Sequence, residues 1–272
     1  MSERTIVRVA VFLIACGTLF LAGCCSTCPR SGCPFAKRPV QRRGVVIGIP
    51  AESIPEYKRL HAETRPGVLQ AVDRAHMDNY SIYLGEVAPD RYYLFGYYEY
   101  TGGDFDADMA RMKKDKTMQQ WWTLTDPLQE PLPTRKDGEW WAQWDEVFHY
   151  AGPAYDKDDV KLRWGSIIGL REESLLAYTQ LHAAVWPDVL KALGEVNIRN
   201  YSIYLGRVRP GEYLLFSYFE YVGDDFDADM KHMAADKVTR LWWTYTDPLQ
   251  IRLPGTPDGA QWKAIEEVFH TD

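Results

Sequence analysis

Histidine is the side chain whose ordinary pKa, about 6.5, lets it give and take a proton near neutrality, so the six histidines are the first residues to place. His61 follows Tyr57 by four residues, and His182 follows Tyr178 by the same interval. On a helix that spacing stacks the two side chains on one face. Each pair is then either a proton-transfer group beside a phenol or a buried histidine satisfied by its neighbour. Trp121-Trp122 and Trp242-Trp243 are adjacent aromatic pairs. Neighbours on a helix stand about 100° apart, so one of each pair is expected in the core and the other on a pocket wall. Glu99 and Glu220, and Asp126 and Asp247, are ionisable and could supply a partner base. His149 and His270 close strands and either finish an edge or carry function, whereas His76 and His232 read as solvated surface. No Ser-His-Asp set, glycine-rich phosphate loop or metal-ligand spacing stands out.

These candidates come in twos because the chain is a duplication. Gly44 to His149 lies over Gly165 to His270 at an offset of 121 without a gap, about half the positions being identical. Asn79-Tyr80-Ser81-Ile82-Tyr83-Leu84-Gly85 recurs from Asn200 to Gly206, Asp104–Met109 recurs as Asp225–Met230, and Glu146-Val147-Phe148-His149 recurs as Glu267–His270. A period above about 100 residues is a repeated domain, not a solenoid unit.

Within one copy, Val45–Ile49 is short, apolar and β-branched, a strand. Ser53 with Glu56 reads as a capping box opening a helix through Tyr57, Leu60 and His61, which bends or restarts at Pro66. Tyr80–Val87 and Tyr92–Tyr100 flank Ala88-Pro89-Asp90-Arg91 as a hairpin. Phe105, Met109 and Met112 mark a second helix running on toward Trp121-Trp122, and Asp145–Tyr150 closes the unit. The order β-α-β-β-α-β predicts an α+β class, a tandem of ferredoxin-like (βαββαβ) domains: one antiparallel sheet per copy, helices on one face. Its open face must be covered, and a second, covalently tied copy is at hand.

The remaining sequence sets the context. With 272 residues, 46% hydrophobic, the chain has room for two cores. A net charge of −7 argues against a nucleic-acid partner. Aromatics reach 14%, suited to large cores or to planes that stack on sugar rings. At the N-terminus Arg4 and Arg8 precede an apolar run, Val9–Ala22, shorter than the roughly 20 residues that span a bilayer. It ends in Leu21-Ala22-Gly23-Cys24, which resembles the bacterial lipobox and implies cleavage before a lipid-carrying Cys24, export and a membrane anchor in the cell envelope. All five cysteines lie in the first 33 residues, so the repeats use no disulfide. Cys25, Cys28 and Cys33 either pair or carry further acyl chains. The expected organisation is a lipoprotein signal peptide over 1–23, a Cys/Pro-rich tether over 24–42, repeat 1 over 43–150, a linker over 151–163 and repeat 2 over 164–272.

Taken together, Tyr57-x-x-x-His61 with Pro66, Asn79-Tyr80-x-Ile82-Tyr83-Leu84, Trp121-Trp122 and Glu146-Val147-Phe148 resemble the L-rhamnose mutarotase family over nearly all of each copy. The second copy has Trp186-Pro187 where the family has Trp-Pro; the first has Arg65-Pro66. The resemblance implies a dimeric α+β barrel that interconverts the α and β anomers of L-rhamnose or a similar 6-deoxy sugar without a cofactor. It places the proton-donating histidine at His61 and His182, sugar-binding tyrosines at Tyr57, Tyr80, Tyr178 and Tyr201, and sugar-binding tryptophans at Trp121, Trp122, Trp242 and Trp243. Family members pair as separate chains; here the repeats pair within the chain. Two other readings stand beside this one: an exported sugar-binding lipoprotein without useful catalysis, and a barrel that binds haem or aromatic compounds with His61 as axial ligand.

Overall fold

The structure, a computed structural model, describes residues 40–272; the expected signal peptide, Cys24 and the tether up to 39 lie outside the described residues. Repeat 1 contributes β1 (Gln41–Ile49), α1 (Ile54–Ala62), α2 (Pro66–Arg74), β2 (Met77–Ala88), β3 (Arg91–Tyr100), α3 (Phe105–Met112), α4 (Lys116–Thr125) and β4 (Ala142–Tyr150). Repeat 2 contributes β5 (Leu162–Leu170), α5 (Leu175–Ala183), α6 (Pro187–Glu195), β6 (Ile198–Arg209), β7 (Glu212–Tyr221), α7 (Phe226–Ala235), α8 (Lys237–Thr246), the two-residue β8 (Gln250–Ile251) and β9 (Lys263–Thr271).

The two sheets are joined by their closing strands. β4 pairs with β1 only at Gly44–Val46, then runs along β6 from Asp145 to Tyr150. β9 does the converse, pairing with β5 through Lys263–Ile265 and with β2 through Glu266–Thr271. The order β7-β6-β4-β1-β3-β2-β9-β5 returns to β7, an eight-stranded antiparallel barrel with no free edge. The tandem α+β barrel is therefore built by exchange of one strand in each direction.

Aromatic residues fill the barrel. Tyr97 and Tyr218 stack at its centre with ring centroids 3.7 Å apart. The ring of Tyr204 lies over Gly44 and that of Tyr83 over Gly165, so close that a Cβ on either glycine would sit 2.3 Å and 2.5 Å from ring carbons. The recurring Asn-Tyr-Ser motif also gains a physical reason. Asn79 and Asn200 adopt φ of 48° and 47°, a left-handed conformation that asparagine tolerates, and each sits where the β2 and β6 registers slip. The resulting bulge turns both amides inward. There Asn79 Nδ2 donates to Glu220 (2.6 Å) and Glu99 (3.0 Å), and Asn200 Nδ2 to Glu99 (2.7 Å) and Glu220 (2.9 Å).

Two local expectations need correcting. Ser53 does not cap α1: a 3-10 turn at Ala51–Ser53 already gives it helical dihedrals, and its side chain bonds no amide. Glu56 pairs with Arg59 instead. The second helix is two helices, because the Asp115 carboxylate accepts from the amides of Thr117 and Met118 and starts α4 afresh. The linker is ordered, with a 3-10 turn at Lys157–Asp159 capped by Asp156 and with the Tyr155 hydroxyl donating to Glu220. His76 is exposed, as expected, and its Nδ1 also lies 2.8 Å from the buried Asp108 carboxylate. Asn197, its counterpart, donates to Asp229 at the same distance, so the two residues do one job.

Candidate active site

Each repeat holds a cavity between its helices and the outer face of the barrel. The first, about 350 Å³, is lined by all five residues expected there: Tyr57, His61, Tyr80, Trp121 and Trp122. The second, about 590 Å³, is lined by Tyr178, His182, Tyr201, Trp242 and Trp243, and adjoins a lobe of about 120 Å³ that shares His182 and both tryptophans.

α1 fixes its histidine in two ways. The imidazole of His61 stacks on the ring of Tyr57 at 4.0 Å between centroids, and that of His182 on Tyr178 at 4.1 Å. His61 Nδ1 lies 2.9 Å from the Tyr57 carbonyl oxygen, and His182 Nδ1 lies 3.0 Å from that of Tyr178. A carbonyl only accepts, so Nδ1 carries the hydrogen and the neutral ring keeps a bare Nε2. Burial pushes both histidines down to about 4, against the smaller raising effect of that backbone bond. At pH 7 each is thus a neutral base.

Around the imidazoles the walls are apolar. Trp121 meets His61 edge to face at 5.2 Å and Trp242 meets His182 at 5.5 Å. The expected split of each tryptophan pair into one core and one wall residue does not hold. Trp121 is 8% exposed and Trp122 half-buried, yet both line the cavity. Trp186 does not line the second cavity; it braces Trp242 from behind at 5.3 Å, while Arg65 in the first copy is exposed.

Of the candidate bases, Asp126 and Asp247 line the cavities, and burial raises both carboxyls above their ordinary range. Glu99 and Glu220 do not: they face each other across the repeat interface, held by Asn79, Asn200, Tyr97 and Tyr218. That placement follows from strand parity, since β3 and β7 turn these positions inward. His149 and His270 are also seam residues, 3.0 Å and 2.9 Å from the hydroxyls of Ser202 and Ser81 on the other repeat. His270 Nε2 also reaches Asp272 at 3.2 Å, so Ser81, His270 and Asp272 form a chain. Ser81 is completely buried and lines neither cavity, which leaves it no substrate.

Three pairs of contributors are not apparent from sequence. Phe269 of repeat 2 lines the first cavity and packs on His61 at 5.6 Å, and Phe148 of repeat 1 packs on His182 at 5.8 Å. Each site is thus completed by the strand exchanged from the other repeat. Gln129 and Gln250 line the walls as well, the carbonyl of Gln129 accepting from Trp140 Nε1 at 2.8 Å and that of Gln250 from Gln261 at 3.3 Å. Their signal was the recurrence of Thr-Asp-Pro-Leu-Gln at 125–129 and 246–250. Trp141 and Trp262 complete the set.

Fold and site together define a dimeric α+β barrel whose two halves are one chain, with a duplicated small-molecule cavity built on a neutral histidine. The family model described as L-rhamnose mutarotase matches residues 42–150 and again 163–271, so the chain belongs to the L-rhamnose mutarotase family, whose members are isomerases, and carries two copies of it. It is 31% identical over 115 residues to the L-rhamnose mutarotase of Lactiplantibacillus plantarum, spanning 41% of this chain and 99% of that protein. With the L-rhamnose mutarotase of Ligilactobacillus salivarius it shares 33% over 120 residues, 42% of this chain and all of that one. Among solved structures, an anthrone oxidase-like protein aligns with 86% of this chain and 96% of its own at 11% identity and a TM-score of 0.41.

Proposed function

We propose that this mutarotase interconverts the α and β anomers of L-rhamnose or a similar 6-deoxy sugar at two pockets, with His61 and His182 as the proton-transfer groups. The observation that carries the reading is the bare Nε2 of a neutral, stacked imidazole in an aromatic-walled cavity, present twice. The N-terminal cavity, about 350 Å³, lies at the small end of the range for ligand pockets, which favours a monosaccharide there over a macrocycle such as haem. Tryptophan planes cover the apolar face of a deoxy sugar, and the tyrosine hydroxyls and Asp126 accept or donate at its polar edge.

The chemistry needs one proton moved between two oxygens on the same carbon. Nε2 takes the proton of the anomeric hydroxyl as the bond from C1 to the ring oxygen breaks, and returns it to the ring oxygen. The free aldehyde carbon turns about its bond to C2, and closure runs the same transfer backward on the other face. Since both oxygens are bonded to C1, a single nitrogen can serve both. Saturation-transfer NMR of L-rhamnose tests this: protein should accelerate anomer exchange, and absence of acceleration with any deoxy sugar ends the reading. Calorimetric binding without accelerated exchange would favour a sugar-binding role instead.

We also propose export and lipid anchoring through Cys24, supported by the Leu21-Ala22-Gly23-Cys24 sequence behind its basic and apolar start. Detergent-phase partition of the intact chain, lost on Cys24→Ser, is the expected result; unchanged partition would contradict it.

A further inference from the structure

The two cavities share their chemistry but not their floors. β5 and β7 place Ser166 opposite Ser217, their hydroxyl oxygens 2.7 Å apart, and both residues line the C-terminal cavity. They are only 5% and 1% exposed. At the same register in repeat 1 stand Val45 and Gly96, neither of which lines the N-terminal cavity. There the valine occupies the space: a Cβ on Gly96 would lie 2.8 Å from Val45 Cγ2, with Tyr80 and Trp141 at 3.6 Å and 3.7 Å. A third exchange points the same way. Thr239 lines the lobe beside His182 where repeat 1 has Met118. Two cavity positions and one in the adjoining lobe thus turn from apolar or absent side chains to hydroxyls, and the C-terminal cavity, about 590 Å³ against about 350 Å³, also extends to Arg252, Gly259 and Ala260.

Two serine hydroxyls bonded to each other use one hydrogen between them. One O–H donor and several lone pairs are left over, at a buried place where unused polar capacity is costly. At the same register the N-terminal repeat, with Val45 and Gly96, presents no hydrogen-bonding side chain. We infer that the two pockets serve sugars of different polarity: the N-terminal pocket a 6-deoxy sugar, the C-terminal pocket a hexose carrying the additional hydroxyl, received by Ser166 and Ser217. This rests on the mutarotase reading and extends it to substrate class.

L-mannose differs from L-rhamnose only by a hydroxyl on C6, so the pair isolates the effect. In the intact chain, His61→Ala leaves the C-terminal site to act and His182→Ala the N-terminal one. Anomer-exchange rates by NMR should give a ratio of L-mannose to L-rhamnose at least about 10-fold higher for His61→Ala than for His182→Ala, the discrimination a hydroxyl-binding site achieves over an apolar one. Adding Ser166→Val and Ser217→Gly to His61→Ala should bring the ratio down to the N-terminal value, and the gentler pair Ser166→Ala and Ser217→Ala should move it the same way. Equal ratios in the two single-site proteins, or a ratio indifferent to both serine pairs, overturns the inference. Should the unaltered protein accelerate neither sugar, the enzymatic reading fails separately. The serine variants are then read by calorimetry, where they must weaken L-mannose and spare L-rhamnose; equal effects on both sugars overturn the inference there too.

Discussion

Tyr57 governs His61 twice over: its ring stacks on the imidazole at 4.0 Å, and its carbonyl oxygen, 2.9 Å from Nδ1, sets the tautomer. The ring fixes the plane of the base and the backbone fixes which nitrogen is bare. Removing the imidazole should therefore remove catalysis while leaving the cavity able to bind. His61→Ala with His182→Ala should lower protein-dependent anomer exchange at least about 100-fold, the scale of general acid–base assistance, and each single variant should retain one working pocket. Tyr57→Phe keeps both the stacking and the carbonyl, so in the His182→Ala background it should cost less than about 10-fold. Exchange spectroscopy at fixed sugar concentration checks both. A double histidine variant with full activity would move the chemistry elsewhere.

The depressed histidines give an activity profile unlike that of a free imidazole. Exchange needs the neutral ring, and burial holds His61 and His182 neutral down to about 4. Protein-dependent exchange, corrected for the spontaneous rate, should stay within about two-fold between pH 7.5 and 5.5 and fall only as pH drops toward 4. An acid limb centred near the ordinary value of about 6.5 would show that the imidazoles are solvated in the working protein.

The same shift reads out as stability, with a sign that can be worked through. His61, His149 and His182 all have folded values near 4, depressed by burial from 6.5. On unfolding between pH 4 and 6.5 each takes up a proton that the folded state refuses, so unfolding is favoured there. Their contribution is complete above about 6.5 and is lost as pH falls through 4, at up to about 1.4 kcal/mol per pH unit for each ring. Thermal melts should show the midpoint falling steeply across that window. A smaller slope in His149→Gln would assign part of it to the seam, because His149 lines no cavity and bonds Ser202.

Much of this molecule could be read from its residues, and the misses share a cause. The duplication, the strand order and the ten cavity side chains named from sequence were legible because helical spacing and tandem recurrence are local signals. Tyr57 with His61 needs only one turn of helix to meet. The strand exchange is not local. Nothing in Glu146–Tyr150 tells a reader that β4 leaves β1 for β6, so Phe148 and Phe269 could not be assigned to opposite cavities. Glu99 failed for a related reason: recurrence marks a position as constrained but does not say which side of the barrel it faces. The capping box at Ser53 failed because Pro50 and the 3-10 turn behind it had already set the helical path.

Gly44 and Gly165 each lie directly beneath an aromatic ring from the other repeat. Tyr204 and Tyr83 occupy the volume a side chain would need, and both rings are about 1% exposed, with no room to withdraw. Gly44→Ala should destabilise the protein by about 1–3 kcal/mol, the usual cost of overfilling a packed core. Denaturant unfolding should show the midpoint shift without a change of slope. A neutral outcome would mean that β1 can move off β6's partner strand, contrary to the tight pairing of Gly44 with Trp144.

The exchanged phenylalanines give the sharpest test of the architecture, because they couple a pocket to a strand from the other repeat. Phe269 touches both His61 and Tyr80, with centroids at 5.6 Å in each case, although it lies more than one repeat away in sequence. In a His182→Ala background only the N-terminal pocket works, so Phe269→Ala should lower its exchange rate by about 10-fold or more through loss of an aromatic contact worth roughly 0.5–1.5 kcal/mol and of the wall itself. Phe148→Ala in the same background should leave the N-terminal rate near its starting value, since Phe148 packs on His182 and Tyr201 instead. The reversed pattern is required in a His61→Ala background. If both phenylalanine variants acted equally on both pockets, their effect would come from general loosening of the barrel; if each acted only on the pocket of its own repeat, β4 and β9 would not be exchanged in solution.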